Sequence, residues 1–415
     1  MSLFKLASQR AFVLLAGGEA ASLIGDQFTR IAAIWLVLDL TNDSAAVGLW
    51  LAFGAVPRAA FLLVGGALID RFDPRTMMIV SNLARLLLVL VLTGLALAGG
   101  VTMPVLYGFA ILFGAAGALY LPAVSVIVPR IVPAAALRSG NAVVQGLMHL
   151  ANLIGPPLAA LALAALLGEM GARPAAEGQR AYAVLLAIDA LTFLLSLWAL
   201  FLIGNMAGPS GGPAGGLTGA VGAGLRHVIR HPNLRIFVLI AVIANFGLGG
   251  PLAVGLPLLA KFALPQGVTA LGILSAAASA GSLAGLGIAA ILPQRDERRL
   301  FAMPFLFLPI LGLLMISLGH AVTLERAAGT IGIMAAMGLY LDVQIITRLQ
   351  QTTDRDYLGR VMSILQFGAL GLTPISMALA GFLGTDLPFM FAAFGIFIIV
   401  MTAVLAFLAR HTSGR

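Results

Sequence analysis

The chain has 415 residues, 60% of them hydrophobic and only 10% charged, with no cysteine and a formal net charge of +8. A soluble globular protein carries about 25% charged residues, so this chain cannot cover a water-facing surface. An ordinary soluble enzyme, a disulfide scaffold and a zinc domain built on cysteine are excluded. The mean hydropathy of +1.05 points to a membrane instead. A spanning helix needs about 20 apolar residues, and ~12 of them would use roughly 240, leaving short loops and no separate soluble domain.

Apolar runs predict spans over 11–40, 44–69, 76–98, 102–128, 139–168, 181–205, 233–263, 267–292, 300–319, 324–348, 359–383 and 387–409. The first run contains Glu19 and Asp26 and reads as a span, not as a cleavable signal. Residues 206–232 are rich in Gly and Pro and end in a basic stretch. They read as a cytoplasmic linker that divides the spans six and six, into 1–205 and 233–415. The expected fold is an all-α integral membrane protein with twelve transmembrane helices in two six-helix bundles.

Orientation follows from the Lys and Arg between spans. The side that carries both termini collects seventeen, Lys5 and Arg10 to Arg410 and Arg415 among them. The other side has Arg173, Arg180, Lys261 and Arg326. Both termini are therefore expected in the cytoplasm of a bacterial inner-membrane protein. The positive charge reports topology and contact with anionic lipid, not a nucleic-acid partner.

The turn between the second and third spans reads Gly65-Gly66-Ala67-Leu68-Ile69-Asp70-Arg71-Phe72-Asp73-Pro74-Arg75. A Gly followed by Asp-Arg and a further basic residue, between these spans and on the cytoplasmic side, resembles the signature of the major facilitator superfamily. Gly66, Asp70, Arg71 and Arg75 match it, and Pro74 stands where a second basic residue is usual. Gly25-Asp26, Tyr120-Leu121-Pro122-Ala123, the stretch from Leu137 to Asn141-Ala142, and Gly359-Arg360-Val361-Met362-Ser363 resemble the bacterial twelve-span branch of drug, macrolide and siderophore exporters. The turn 292–299 keeps charge but lacks the Gly-x-x-x-Asp pattern.

The resemblance implies alternating access, with Asp70 and Arg360 pairing to close the cytoplasmic side. Gly155-Pro156-Pro157 partly matches the Gly-x-x-x-Gly-Pro signature linked with antiport, with Ala151 in place of the first Gly. Physically, these prolines remove backbone donors and are expected to kink the helix. Gly247 to Pro251 is expected to be a second break, beside the cavity.

An ionisable residue at membrane depth is a functional candidate. Glu19 and Asp26 are seven apart and share a helix face. Arg30 lies one turn past Asp26 and can pair with it. Glu19, with no cation within a turn, is the better proton carrier, with Asp26 and His149 as further candidates for proton coupling. Arg58, near mid-depth, either neutralises Glu19 or Asp26 or binds an anionic substrate, and Arg85 with Asp189 can form a structural pair. Asn141, Gln145, His149 and Asn152 fall within about 80° on one face and are expected to line the cavity. Asn245, Gln344, Arg348 and Gln366 are further candidates for the cavity wall. Phe246 and Phe367 are neighbours that can supply an apolar surface.

No Gly-x-x-x-x-Gly-Lys-Ser/Thr signature for ATP is present. His227 and His231 have helical metal spacing but sit among arginines with no third ligand, so neither metal nor cofactor is implied. The expected activity is secondary active transport and not enzymatic catalysis: proton-coupled export of a hydrophobic or amphiphilic small molecule by a monomer in contact with lipid. A lipid or lysolipid flippase and an importer are the alternatives.

Overall fold

The computed structural model describes residues 9–69, 73–118, 120–132, 137–170, 175–203, 232–291, 297–352 and 371–412, and all the regular elements among them are helical. In chain order these are α1 (Arg10–Thr41), α2 (Ser44–Ile69), α3 (Pro74–Leu97), α4 (Met103–Ala118), α5 (Tyr120–Ile131), α6 (Leu137–Met170) and α7 (Ala175–Ile203). They are followed by α8 (Pro232–Ala244), α9 (Gly250–Leu258), α10 (Val268–Ile291), α11 (Glu297–Gly319), α12 (Leu324–Thr352), α13 (Thr373–Leu383) and α14 (Leu387–Thr412). Among the described residues nine helices are long and apolar enough to cross a membrane, and three shorter apolar ones lie at Ser44–Ala60, Met103–Ala118 and Thr373–Leu383. These segments fall where the hydropathy pattern places the twelve spans.

Local chemistry sets the helix ends. Asn42 adopts a left-handed conformation (φ 52°) and returns its N–H to Leu38 O at 2.9 Å, the usual way to satisfy a terminal carbonyl. Asp43 Oδ1 then accepts from Ala45 N at 2.9 Å and opens α2. Asp73 caps α3, accepting from Thr76 N at 3.0 Å, and Pro74 follows in the first turn, where its missing N–H costs nothing.

The expected break at Gly247–Pro251 is instead a change of helical pitch. The chain passes from α8 through a π-turn at Asn245–Gly249 into α9, and a second π-turn at Leu259–Ala263 ends the span. Pro251 has no N–H to return to the carbonyl five residues back, that of Phe246. Ser376 Oγ on α13 donates to that carbonyl at 2.5 Å. The prolines at 156 and 157 do not interrupt α6, which runs from Leu137 to Met170.

The chain divides into two compact units. One comprises residues 1–42 and 53–214. The other comprises 43–52 and 215–415, so the first turns of α2 group with the C-terminal half. In the first unit α1 packs along α6 and α7, and α3 packs along α7. In the second, α10 packs on α12, and α11 on α14. Bare backbone brings these helices close. A Cβ on Gly281 would collide with the backbone of Gly332, and one on Gly114 with that of Gly54. In lipid the hydrophobic effect does not drive helix pairing, so close van der Waals approach at small residues carries it.

In the first unit α7 has a mixed buried face and an apolar exposed one. On α7 the side chains of Asp189, Phe193 and Ser196 are buried, while Leu191, Leu194, Leu195 and Trp198 are exposed. In a membrane, that exposed apolar face is the one suited to acyl chains.

Candidate functional site

The buried charge of the first unit converges from α1, α3, α5 and α7. Arg85 on α3 is its centre. Its guanidinium forms an ion pair with Asp26 at 3.0 Å, and its other terminal nitrogen donates to Asn82 Oδ1 at 2.5 Å. The rings of Tyr120 and Phe193 each lie 4.7 Å from its central carbon. Two aromatic faces and one carboxylate replace the water that a buried cation loses. Asn82 Nδ2 passes the network on to Ser196 Oγ at 2.9 Å.

Glu19 lies two helical turns from Asp26 on α1 and is only 2% exposed. Tyr120 O–H donates to its Oε2 at 2.5 Å. Its Oε1 has no partner among the described residues, nor does Ser22 Oγ, one turn away, nor Arg85 Nε. An unsatisfied buried polar atom costs about 1–3 kcal/mol, so three in one neighbourhood mark a site not optimised for stability alone. Asp189 is held separately: Thr29 Oγ1 donates to it at 2.5 Å and Thr192 Oγ1 lies 3.1 Å from its other oxygen.

Three sequence expectations change. Asp26 pairs with Arg85, not with Arg30, because the Arg30 side chain is exposed while Arg85 reaches Asp26 from the buried face of α3. Arg85 therefore does not pair with Asp189, which takes two hydroxyls instead. Arg58 is exposed and forms no ion pair with Glu19 or Asp26 among the described residues. Glu19 and Asp26 do turn into one network, as their shared face predicts. The sequence offers no sign of the roles of Asn82, Ser196 and Phe193, since polar and aromatic residues at such positions are common in spans.

The α6 stripe is visible in part. Asn152 and His149 are exposed, and Gln27 Nε2 on α1 donates to Asn152 Oδ1 at 3.1 Å. A Cβ on Gly155 would strike the Gln27 side chain, so this glycine lets α6 approach α1. The side chains of Asn141, Gln145 and Arg348 and the surroundings of Gly66 lie outside the described residues, as do residues Asp70, Arg71, Phe72, Arg360, Gln366, Phe367, His227 and His231 altogether.

Arg75, expected to belong to a gate, is buried and makes a structural tie. Its Nε donates to Leu200 O at 2.8 Å and its Nη2 to Phe201 O at 3.4 Å, so it serves carbonyls in the last turn of α7. Arg130 reaches Asp73 at 3.3 Å nearby. In the second unit Asn245 Nδ2 donates to Ala241 O at 3.0 Å, Gln344 is buried, and Phe246 packs 5.1 Å from the Phe397 ring and 6.0 Å from the Phe394 ring.

A charged network enclosed in apolar helices is characteristic of membrane transport proteins, and the family profile of the Major Facilitator Superfamily matches residues 15–346. The chain belongs to that superfamily. It is thus a multi-pass membrane protein and a secondary transporter. An uncharacterized MFS-type transporter, y4rN of Sinorhizobium fredii (strain NBRC 101917 / NGR234), is 25% identical over 390 residues, which cover 90% of this chain and 88% of that one. The fold is shared with a bacterial homologue of the human lysosomal transporter Spinster in its inward-facing, unoccupied conformation (TM-score 0.70, 15% identity, 98% of each chain). It is also shared with the nucleoside transporter NupG (TM-score 0.71, 10% identity, 96% of this chain and 99% of that one). A third structure of this fold is the peptide transporter POT (TM-score 0.71, 13% identity, 99% of this chain and 98% of that one).

Proposed function

We propose that this superfamily member is a proton-coupled exporter of hydrophobic or amphiphilic small molecules, working by alternating access in a bacterial inner membrane with both termini in the cytoplasm. The observation that carries this reading is Glu19. Its carboxyl is buried at membrane depth with one oxygen on Tyr120 and the other unpartnered among the described residues. Each protonation state has support. The Tyr120 hydroxyl serves the carboxylate, and the second oxygen, unpartnered among the described residues, has room to carry a proton. Arg85 and Asp26 stand beside it, so proton loss or gain at Glu19 changes the charge balance around a buried cation.

Proton binding then alters which conformer is favoured, as any ligand with differential affinity does. Export is the direction implied by the likeness of Gly25-Asp26, Tyr120 to Ala123 and Gly155-Pro156-Pro157 to the exporter branch. The test is transport in proteoliposomes under an imposed pH gradient, with a dye reporting proton flux. Glu19→Gln should fold, retain gradient-free exchange of substrate and lose gradient-driven accumulation. Gradient-driven transport at the wild-type rate in this variant would remove the proton role.

A further inference from the structure

We propose that Arg30 and Arg58 form an anion-binding site on the N-terminal unit and that the cargo is an amphiphilic organic anion, a carboxylate or phosphate ester on an apolar body. This deepens the transport reading above, on which it rests only for treating the bound anion as cargo.

Depth is the first argument. Arg30 lies eleven residues before the end of α1 at Thr41, and Arg58 fourteen residues after the start of α2 at Ser44. At 1.5 Å per residue these are about 16 and 21 Å from the turn that joins the two helices, near the middle of a hydrocarbon layer ~30 Å thick. Both side chains are exposed. A guanidinium exposed at that depth does not face acyl chains; it faces water.

Charge is the second argument. Both guanidinium groups lie deep enough for burial to be their main electrostatic penalty, and beyond it Arg58 repels Arg30 and Arg85 repels Arg58. Asp26 is near enough to attract both, but its two oxygens are already engaged by Arg85 Nη1, at 3.0 and 3.4 Å. Glu19 is turned to Tyr120, and Asp189 to Thr29 and Thr192. Among the described residues neither Arg30 nor Arg58 has a carboxylate within ion-pair distance. The one ion pair among these groups, Asp26 with Arg85, therefore leaves the Arg30 and Arg58 guanidinium groups without a carboxylate partner among the described residues.

The surroundings fit a ligand. Arg58 lies against α4 at Gly117, where a Cβ would come 3.4 Å from its Nη2, so the absent side chain gives the guanidinium its seat. Gln27, one turn from Arg30, gives its amide nitrogen to Asn152 Oδ1 at 3.1 Å, and Asn152 Nδ2 donates to Met148 O at 2.9 Å, so an uncharged polar pair stands near Arg30. Arginine presents a planar fork that matches carboxylate and phosphate oxygens, and the same positive field rejects a cationic drug.

The experiment uses the full chain in nanodiscs and four matched probes: naphthoate, naphthyl phosphate, naphthamide and naphthylmethylammonium. Equilibrium binding is read without any gradient. Wild type should bind the two anions and neither the amide nor the ammonium probe. Arg30→Gln and Arg58→Gln should each weaken anion binding by about tenfold, the value of a charge-assisted bond, and the double variant should abolish it. Equal binding of the ammonium probe, no anion binding by wild type, or anion binding unchanged in a folded double variant each overturns the proposal. The wild-type comparison decides even if the double variant misfolds. Anion binding that persists while Glu19→Gln keeps gradient-driven transport would remove proton coupling and leave this site standing. Proton-driven transport without anion selectivity would do the reverse.

Discussion

Arg85 and Asp26, on helices α3 and α1 and 59 residues apart in sequence, meet at 3.0 Å with the arginine side chain 3% and the aspartate 19% exposed. The pair joins two helices that each also pack on α7. Removing one partner of a buried pair strands the other charge, which costs about 3–5 kcal/mol. Arg85→Leu should therefore lower the thermal midpoint of the detergent-purified protein sharply. The double variant Arg85→Leu/Asp26→Asn should recover much of the loss, because neither member of the pair is left stranded by the other. If the double variant is as unstable as the sum of the singles, the pair is not an energetic unit.

Arg75 makes a different prediction from the one its sequence motif invites. It donates to the carbonyls of Leu200 and Phe201 from a buried position. Arg75→Ala should cost about 1.5–3 kcal/mol, the range for bonds to a charged group, and Arg75→Lys should restore only part of it, since one ammonium lacks the fork. Thermal unfolding of both variants measures this. A variant that unfolds like wild type and is altered only in transport would return Arg75 to the gate.

Glycines of the second unit divide into two kinds. A Cβ on Gly281 would strike the backbone of Gly332, whereas Gly287 on the same helix has nothing within 4 Å. Gly281→Val should destabilise by about 1–3 kcal/mol through forced separation of α10 and α12. Gly287→Ala should be neutral or slightly stabilising, by the helix propensity of alanine. Equal midpoints for the two variants would show that the α10–α12 contact tolerates widening.

Ser376 closes the account of the π-turn. Its hydroxyl is the donor to the Phe246 carbonyl, which Pro251 cannot serve. Ser376→Ala should lose about 1–3 kcal/mol for a buried acceptor left open, and Ser376→Thr should keep the bond while crowding Gly250, which already packs against Ser376. Hydrogen exchange around residues 245–251 reports the local effect: faster exchange in Ser376→Ala is expected, and no change would mean that another group takes the carbonyl.

Hydropathy alone located the helices, because a backbone in hydrocarbon must satisfy its own hydrogen bonds and only long apolar runs can do so as helices. Where the apolar period runs without charge, as in 387–409, the written boundaries and the observed helix Leu387–Thr412 nearly coincide. The residues capable of the chemistry were legible for the same reason. Glu19, Asp26, Arg30, Arg58 and Arg85 stand out as charges in apolar text, and the seven-residue spacing of the first two gave them a common face.

Which charge meets which was decided only in three dimensions. Sequence spacing favoured Asp26 with its helical neighbour Arg30, yet Arg85 from another helix takes the carboxylate, and Arg30 is left facing outward from the unit. Spacing along one helix fixes only the angle of a side chain. The partner is set by how close a second helix comes, and that depends on small residues such as Gly25 and Gly155, whose missing side chains admit α7 and α6 to α1. The same holds for Arg75, whose role follows from where α7 ends beside α3, a fact of packing that no local pattern carries.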